Sequence, residues 1–92
     1  ASNPAPLSFP MPGWTLTVDI PTRAEGLGSL LHSLDDIVMQ SGGRHYLAKD
    51  AHTTPIAISR GYPRLEEWKQ TQRSVDPDRR WQSDLARRLE LI

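Results

Sequence analysis

One amphipathic stretch decides the predicted fold: residues 26–40, with the sequence GLGSLLHSLDDIVMQ. Its apolar residues recur at the three- and four-residue spacing of one helical stripe, namely Leu27, Leu30, Leu31, Leu34, Ile37 and Val38. The polar residues between them, including Asp35 and Asp36, are assigned to a solvated outer face. Gly42-Gly43 follows, and because glycine adopts the left-handed conformation without steric cost, we expect the helix to end there.

Alternating segments flank this helix on both sides. In segment 14–20 every second residue is apolar, and this period of two predicts a half-buried strand that Pro21 ends. Segment 44–49 is short and alternates in a similar way, which predicts a second strand. The predicted fold class is therefore α+β, with a strand–helix–strand unit followed by C-terminal helices.

The rest of the chain is predicted to be extended at its start and helical or irregular at its end. Four prolines in residues 1–13 indicate an extended lead-in, since each fixes φ and removes a backbone donor. A short helix is expected from near Pro55. Asp76-Pro77 has the pattern of a helix start, with the aspartate as N-cap.

A last helix is expected after Ser83 or Asp84, with Leu85 and Leu89 on one face. The three tryptophans are expected to act as packing anchors; they are Trp14, Trp68 and Trp81.

Composition excludes several classes of function. The chain has 92 residues, 11 basic and 11 acidic side chains, and no cysteine. A thiolate zinc site, a disulfide scaffold and a thiol nucleophile are excluded, and the balanced charge argues against a nucleic-acid partner. There is no apolar run of membrane-spanning length, no signal-peptide pattern and no glycine-rich nucleotide-binding loop. We expect a cytoplasmic protein, with membrane association or a periplasmic location through its substrate left open.

Candidate chemistry is sparse. The three histidines do not have metal-ligand spacing, so no metal site is predicted. The segment GGRHYLAKD (residues 42–50) differs from the rest, because it places Lys49 at the end of a short strand, at the rim of the sheet. Tyr46 would share that site only if the strand bends between the two residues. An ordinary surface pair of Lys49 with Asp50 is an equally open interpretation.

Spaced motifs nevertheless make the chain similar to a known family. They are PGW at 12–14, GGRHYLAKD at 42–50, YPRLEEW at 62–68, VDP at 75–77 and SDLARRLEL at 83–91. In this order they resemble the C-terminal end of FAD-linked sugar and sugar-alcohol oxidases of the vanillyl-alcohol oxidase superfamily. The sugar-lactone oxidases, such as those acting on arabinono-1,4-lactone, are similar more loosely, with histidine where Tyr46 stands.

The resemblance implies an organisation for the chain. Residues 14–62 would belong to a substrate (cap) domain with an antiparallel sheet, and residues 63–92 would be a helical tail that packs on a flavin-binding domain of the same polypeptide. FAD would be bound mainly by that other domain, so the 92 residues alone are expected to be inactive. The implied substrate is a sugar or a polyprenyl-phosphate sugar, with a role in cell-wall arabinan synthesis; the electron acceptor stays open.

The resemblance also implies roles for two residues. Lys49 matches the active-site lysine, a catalytic and cofactor-contacting residue whose ammonium would stabilise negative charge on the flavin. Tyr46 matches a tyrosine that lines the substrate pocket. Two alternatives remain: a free-standing α+β ligand-binding module, and an interaction module that pairs through a strand edge. We also expect the isolated chain to self-associate, because a partial sheet leaves its edges uncovered.

Overall fold

The computed structural model describes residues 3–92, and this part of the chain is helical. It contains four α-helices: α1 (Leu27–Gln40), α2 (Pro55–Gly61), α3 (Leu65–Val75) and α4 (Asp84–Arg88). A single 3-10 helix, Leu47–Lys49, lies between α1 and α2. The described residues include no β-strand.

The predicted α+β fold with a strand–helix–strand unit is therefore wrong for residues 3–92. Segment 14–20 forms no ladder, and its side chains from Trp14 to Asp19 are exposed. Alternation predicts which residues share a face, but a strand also needs a second backbone to bond with, and this segment has none among the described residues. Segment 44–49 is irregular up to Tyr46 and then turns into the 3-10 helix, where Lys49 N–H donates to the Tyr46 carbonyl at 3.0 Å.

The predicted central helix is confirmed as α1, but its apolar stripe is not a core. Leu27, Leu31 and Val38 are half-buried, whereas the other members, Leu30, Leu34 and Ile37, are exposed. The helix packs against α2. One flank of the stripe therefore packs within this chain and the other faces outward.

The core lies at α2, the start of α3 and the C-terminal end of the chain. Pro55 is at the first turn of α2, and the Thr54 hydroxyl accepts from Ala57 N–H at 3.3 Å, so the predicted helix start is confirmed. The buried cluster consists of Ile58, Tyr62, Leu65, Leu89 and Leu91. Two residues of the SDLARRLEL motif, Leu89 and Leu91, thus pack with α2 to complete the core.

Asp76 does not start a helix, contrary to the prediction. It is the C-cap of α3, and its buried carboxylate accepts from the backbone N–H groups of Arg80 and Trp81, both at 2.9 Å. An aspartate satisfies backbone donors equally well in a turn, so the Asp-Pro pattern did not separate the two cases. The last helix begins at Asp84 with Ser83 as N-cap, within the predicted alternatives.

The tryptophans follow the predicted packing role only in part. Trp68 packs against the core, whereas Trp14 and Trp81 are exposed. Exposed rings of this size leave apolar surface that residues 3–92 do not cover.

The start of the chain is held by arginines from later elements. Residues 3–13 form turns and irregular backbone, and residues 1–2 of the predicted lead-in lie outside the described residues. Arg44 donates to the Ser8 carbonyl at 2.7 Å, and Arg64 donates to the Pro4 carbonyl. Among the described residues, no helix combines the length and the apolar character needed to cross a membrane.

Candidate active-site loop

The loop that carries the lysine motif, residues 42–50, leaves α1 through its two glycines; we call it the site loop. Gly42 has a φ of 69°, a left-handed conformation that ends the helix. Gly43 N–H donates to the Val38 carbonyl at 2.9 Å, and a Cβ on Gly43 would lie 3.0 Å from Val38 Cγ1. Both glycines are therefore required by the way in which the loop folds back on α1.

Arg44 anchors the first side of the site loop. Its guanidinium lies 5.2 Å from the centre of the Tyr62 ring, besides its bond to the Ser8 carbonyl. The backbone of Arg44 also runs close to the end of α2, since a Cβ on Gly61 would lie 2.9 Å from Arg44 Cβ. Arg44 thus joins the lead-in, the site loop and α2.

His45 is anchored through both its side chain and its main chain. Its Nε2 lies 2.7 Å from Asp35 Oδ1 on α1, and its carbonyl accepts from the Tyr62 hydroxyl at 2.6 Å. The expectation that Asp35 lies on a solvated face is wrong, because the loop folds over this position. Only the loop's path, which the sequence did not predict, brings His45 to Asp35.

Tyr46 and Lys49 are both exposed residues of this loop. Tyr46 is the N-cap of the 3-10 helix and Lys49 is its last residue, and the Lys49 N–H closes the turn on the Tyr46 carbonyl. Tyr46 is 52% exposed and its ring packs on Phe9, with centroids 5.1 Å apart. The Lys49 side chain is 62% exposed, and its Nζ lies 3.8 Å from Asp19 Oδ1.

The far end of the site loop is tied to α4. Arg88 forms an ion pair with Asp50 and donates to the Thr53 carbonyl at 2.9 Å. Asp50 therefore pairs with Arg88 and Lys49 with Asp19, so the alternative of a Lys49–Asp50 surface pair is not what the structure has. The ion pair to Arg88 connects the GGRHYLAKD and SDLARRLEL motifs in space.

One titratable group at the base of the loop is shifted. Burial raises the pKa of the Tyr62 phenol above its ordinary value, and the positive charge of Arg44 opposes this effect. The phenol therefore stays protonated and continues to donate to the His45 carbonyl through the neutral pH range.

The surface around Tyr46 and Lys49 is open. Two shallow clefts of the described residues lie elsewhere, around Lys69 and the C-terminal residues, and neither includes Tyr46 or Lys49. Residues 3–92 also contain no group of three or more His, Asp or Glu side chains that could hold a metal ion. What the site loop offers is one ammonium, one phenol and an aromatic wall.

Comparison with known proteins finds a relative that is named as an oxidase. The chain is 51% identical over 90 residues to the decaprenylphosphoryl-beta-D-ribose oxidase of Mycolicibacterium smegmatis, which confirms the resemblance seen in the motifs. It is also 44% identical over 89 residues to a Streptomyces coelicolor protein described as an uncharacterized protein in the mprA 5′ region. No protein-family model matches the chain.

These similarities cover almost the whole chain but a small part of the relatives. They include 98% and 97% of this chain, and 19% and 24% of the two relatives. The chain is therefore similar to about a fifth to a quarter of each longer protein, and its division into substrate-domain and tail segments stays a prediction.

Proposed function

We propose that this chain is part of an FAD-dependent oxidoreductase that oxidises a CH–OH group of a sugar or a sugar alcohol. The observation that carries the proposal is the 51% identity, over 98% of the chain, to a relative named as an oxidase of a decaprenylphosphoryl ribose. The finer proposal is that the substrate is the ribose of a polyprenyl-phosphate donor, converted at C2′ to a keto sugar that serves arabinan synthesis.

The residues of the site loop fit the edge of a flavin site and do not hold a whole cofactor. FAD, when bound, accepts the hydride that leaves the carbinol carbon. Lys49 extends an exposed ammonium, 3.8 Å from Asp19 Oδ1, from a turn that is anchored on both sides. In the proposal this ammonium would supply positive charge where negative charge develops at the ring. Tyr46 provides an aromatic wall and a hydroxyl that can hydrogen-bond to the sugar.

The remaining contacts to the cofactor come from a flavin-binding domain, which we propose as the partner in the same polypeptide. The described residues offer no glycine-rich loop to bind the diphosphate. We therefore expect the purified 92-residue chain to be colourless, without the bound-flavin absorbance near ~450 nm, and to oxidise no sugar. A yellow or active preparation of the chain alone would contradict the proposal that another domain binds the FAD.

The test of the site is the Lys49→Ala variant of the complete flavoprotein that contains this chain. We expect turnover to fall by about 100-fold or more, because a preorganised charge at the reacting centre is removed, while the bound-flavin spectrum is unchanged. Lys69→Ala is the matched control, since Lys69 is the second of the two lysines and pairs with Glu66 on α3. Wild-type turnover in Lys49→Ala would remove Lys49 from the site.

A further inference from the structure

The pair of Asp35 and His45 lies directly behind the site loop. His45 Nε2 is 2.7 Å from Asp35 Oδ1, and the two side chains are only 17% and 15% exposed. We propose that this pair positions the Tyr46–Lys49 turn for catalysis. The inference rests on the proposed function, because it assigns to the pair an effect that acts through Lys49.

The first reason is that the turn needs support from outside itself. Leu47–Lys49 is a 3-10 helix of three residues, a short element with little stability of its own. Lys49 is exposed, and its only ion pair among the described residues is with the still more exposed Asp19, so the place of its ammonium depends on where the backbone of the turn is held. A displacement of about 1 Å in a catalytic group can lower turnover by about 100-fold.

The second reason is where the support acts. His45 immediately precedes Tyr46, whose carbonyl accepts the Lys49 N–H that closes the turn. The imidazole of His45 is held by α1 through Asp35, and its carbonyl is held by the core through the Tyr62 hydroxyl. The residue that leads into the turn is thereby fixed to two different elements.

The third reason is that the pair has no substitute among the described residues. The other polar atoms of the two groups, Asp35 Oδ2 and His45 Nδ1, are buried without a hydrogen-bond partner. Each side chain therefore depends on the other, and loss of either leaves a polar group buried and unpaired. The pair is mostly buried whereas Tyr46 and Lys49 are exposed, so its role is positioning and not contact with the substrate.

The experiment compares three single variants of the complete flavoprotein: Asp35→Ala, Asp35→Asn and the control Asp36→Ala. Asp36 is the exposed neighbour on α1 and has no ion pair among the described residues. We expect Asp35→Ala to lower kcat by about tenfold or more with an unchanged flavin spectrum. Asp35→Asn keeps an acceptor for Nε2–H and is expected to restore kcat to within about threefold, and Asp36→Ala to leave it unchanged.

The decisive measurement places Asp35→Ala in a Lys49→Ala background. If the pair acts through Lys49, the second substitution lowers kcat no further, whereas a general structural defect would lower it by the same factor again. Equal factors in the two backgrounds, or a wild-type kcat in Asp35→Ala, would overturn the proposal. Should Asp35→Ala fail to fold, the same comparison is made with His45→Ala, which removes the other partner of the pair.

Failure of this inference is distinguishable from failure of the proposed function. Wild-type turnover in Lys49→Ala alone rejects the site itself. If Lys49→Ala loses turnover while Asp35→Ala keeps wild-type turnover, only the positioning role is rejected. Independently of activity, we expect the Lys49 amide to exchange its hydrogen about tenfold faster in Asp35→Ala, because the turn it closes is released; unchanged exchange would contradict the proposal.

Discussion

Tyr62 connects the core of this chain to the site loop through one side chain. Its ring is almost fully buried in the core cluster and carries the Arg44 guanidinium on its face. Its hydroxyl donates to the carbonyl of His45, and His45 is the residue that precedes Tyr46. A single residue therefore transmits the packing of α2 to the segment that we propose to be catalytic.

The same burial predicts how stability responds to alkaline pH. The pKa of Tyr62 in the folded chain is raised above the ordinary value of 10.0, chiefly because burial disfavours the phenolate. Above that ordinary value the unfolded state loses the proton first, so the free energy of unfolding falls as pH rises toward the folded-state pKa. Below pH ~10 the phenol is protonated in both states, so its contribution to the free energy of unfolding is fully present. We expect urea denaturation to show a loss of stability that begins near pH ~10.

The controls for this prediction are conservative variants of the two tyrosines. Tyr46→Phe leaves Tyr62 as the one titrating phenol, so that the absorbance of tyrosinate reports it alone. Tyr62→Phe should be less stable at neutral pH by about 1 kcal/mol, through loss of the hydrogen bond to His45, and should lack this part of the alkaline loss. Titration of Tyr62 in the folded chain at or below pH ~10 would contradict the raised pKa.

At the scale of elements, the close approach of α2 to the site loop depends on Gly61. A Cβ at this position would meet Arg44 Cβ at 2.9 Å and Arg44 Cα at 3.1 Å. These atoms belong to or adjoin the backbone and cannot rotate away. We expect Gly61→Ala to lower the free energy of unfolding by about 1–3 kcal/mol and to displace the site loop, as measured by urea denaturation.

Gly28→Ala is the matched control for that substitution. Gly28 lies in α1, and a Cβ there would meet no atom within 4 Å. Because alanine is the better helix former, we expect this variant to lose no stability. A neutral Gly61→Ala would mean that α2 and the site loop do not pack as closely as described.

Some secondary-structure elements could be predicted from the sequence and others could not. α1, the start of α2 at Pro55 and the cap of α4 depend on local signals, and local signals predicted them. Segment 14–20 has the alternation of a strand, but pairing depends on a second backbone, which is information that the segment itself does not contain. Its alternation therefore predicted an element that residues 3–92 do not form.

In the candidate site, too, some residues could be predicted from the sequence and others could not. Tyr46 and Lys49 were predicted from their motif; the chain turns between them in a 3-10 helix, and their shared role in a site stays a prediction. Asp35 was assigned to the solvent face because helical periodicity records position around α1 and not which loop folds over it. His45 and Gly61 had no local signal, since their roles arise from contacts between segments distant in sequence.

At the scale of the whole molecule, the chain has a larger accessible surface than a compact monomer of the same mass. Its accessible surface is 7083 Å², whereas a compact monomer of this mass would expose about 5400 Å². Its radius of gyration is 14.5 Å, compared with about 12 Å for a compact domain of this length. Much of the excess is apolar, from the segment with Trp14, Leu16 and Val18 and from the outer flank of α1.

This surface is the basis for the proposal that the isolated chain self-associates. Exposed apolar area favours contact with a second copy when nothing else covers it. We expect sedimentation velocity to show a mass that rises with concentration, and the double variant Leu16→Ser/Val18→Ser to shift the equilibrium toward monomer. Val75→Ser is the control, because Val75 is also a largely exposed apolar residue (79%, compared with 84% for Leu16 and 55% for Val18) but lies on α3. A chain that stays monomeric at high concentration, or a double variant that associates as strongly as Val75→Ser, would show that this surface does not drive association.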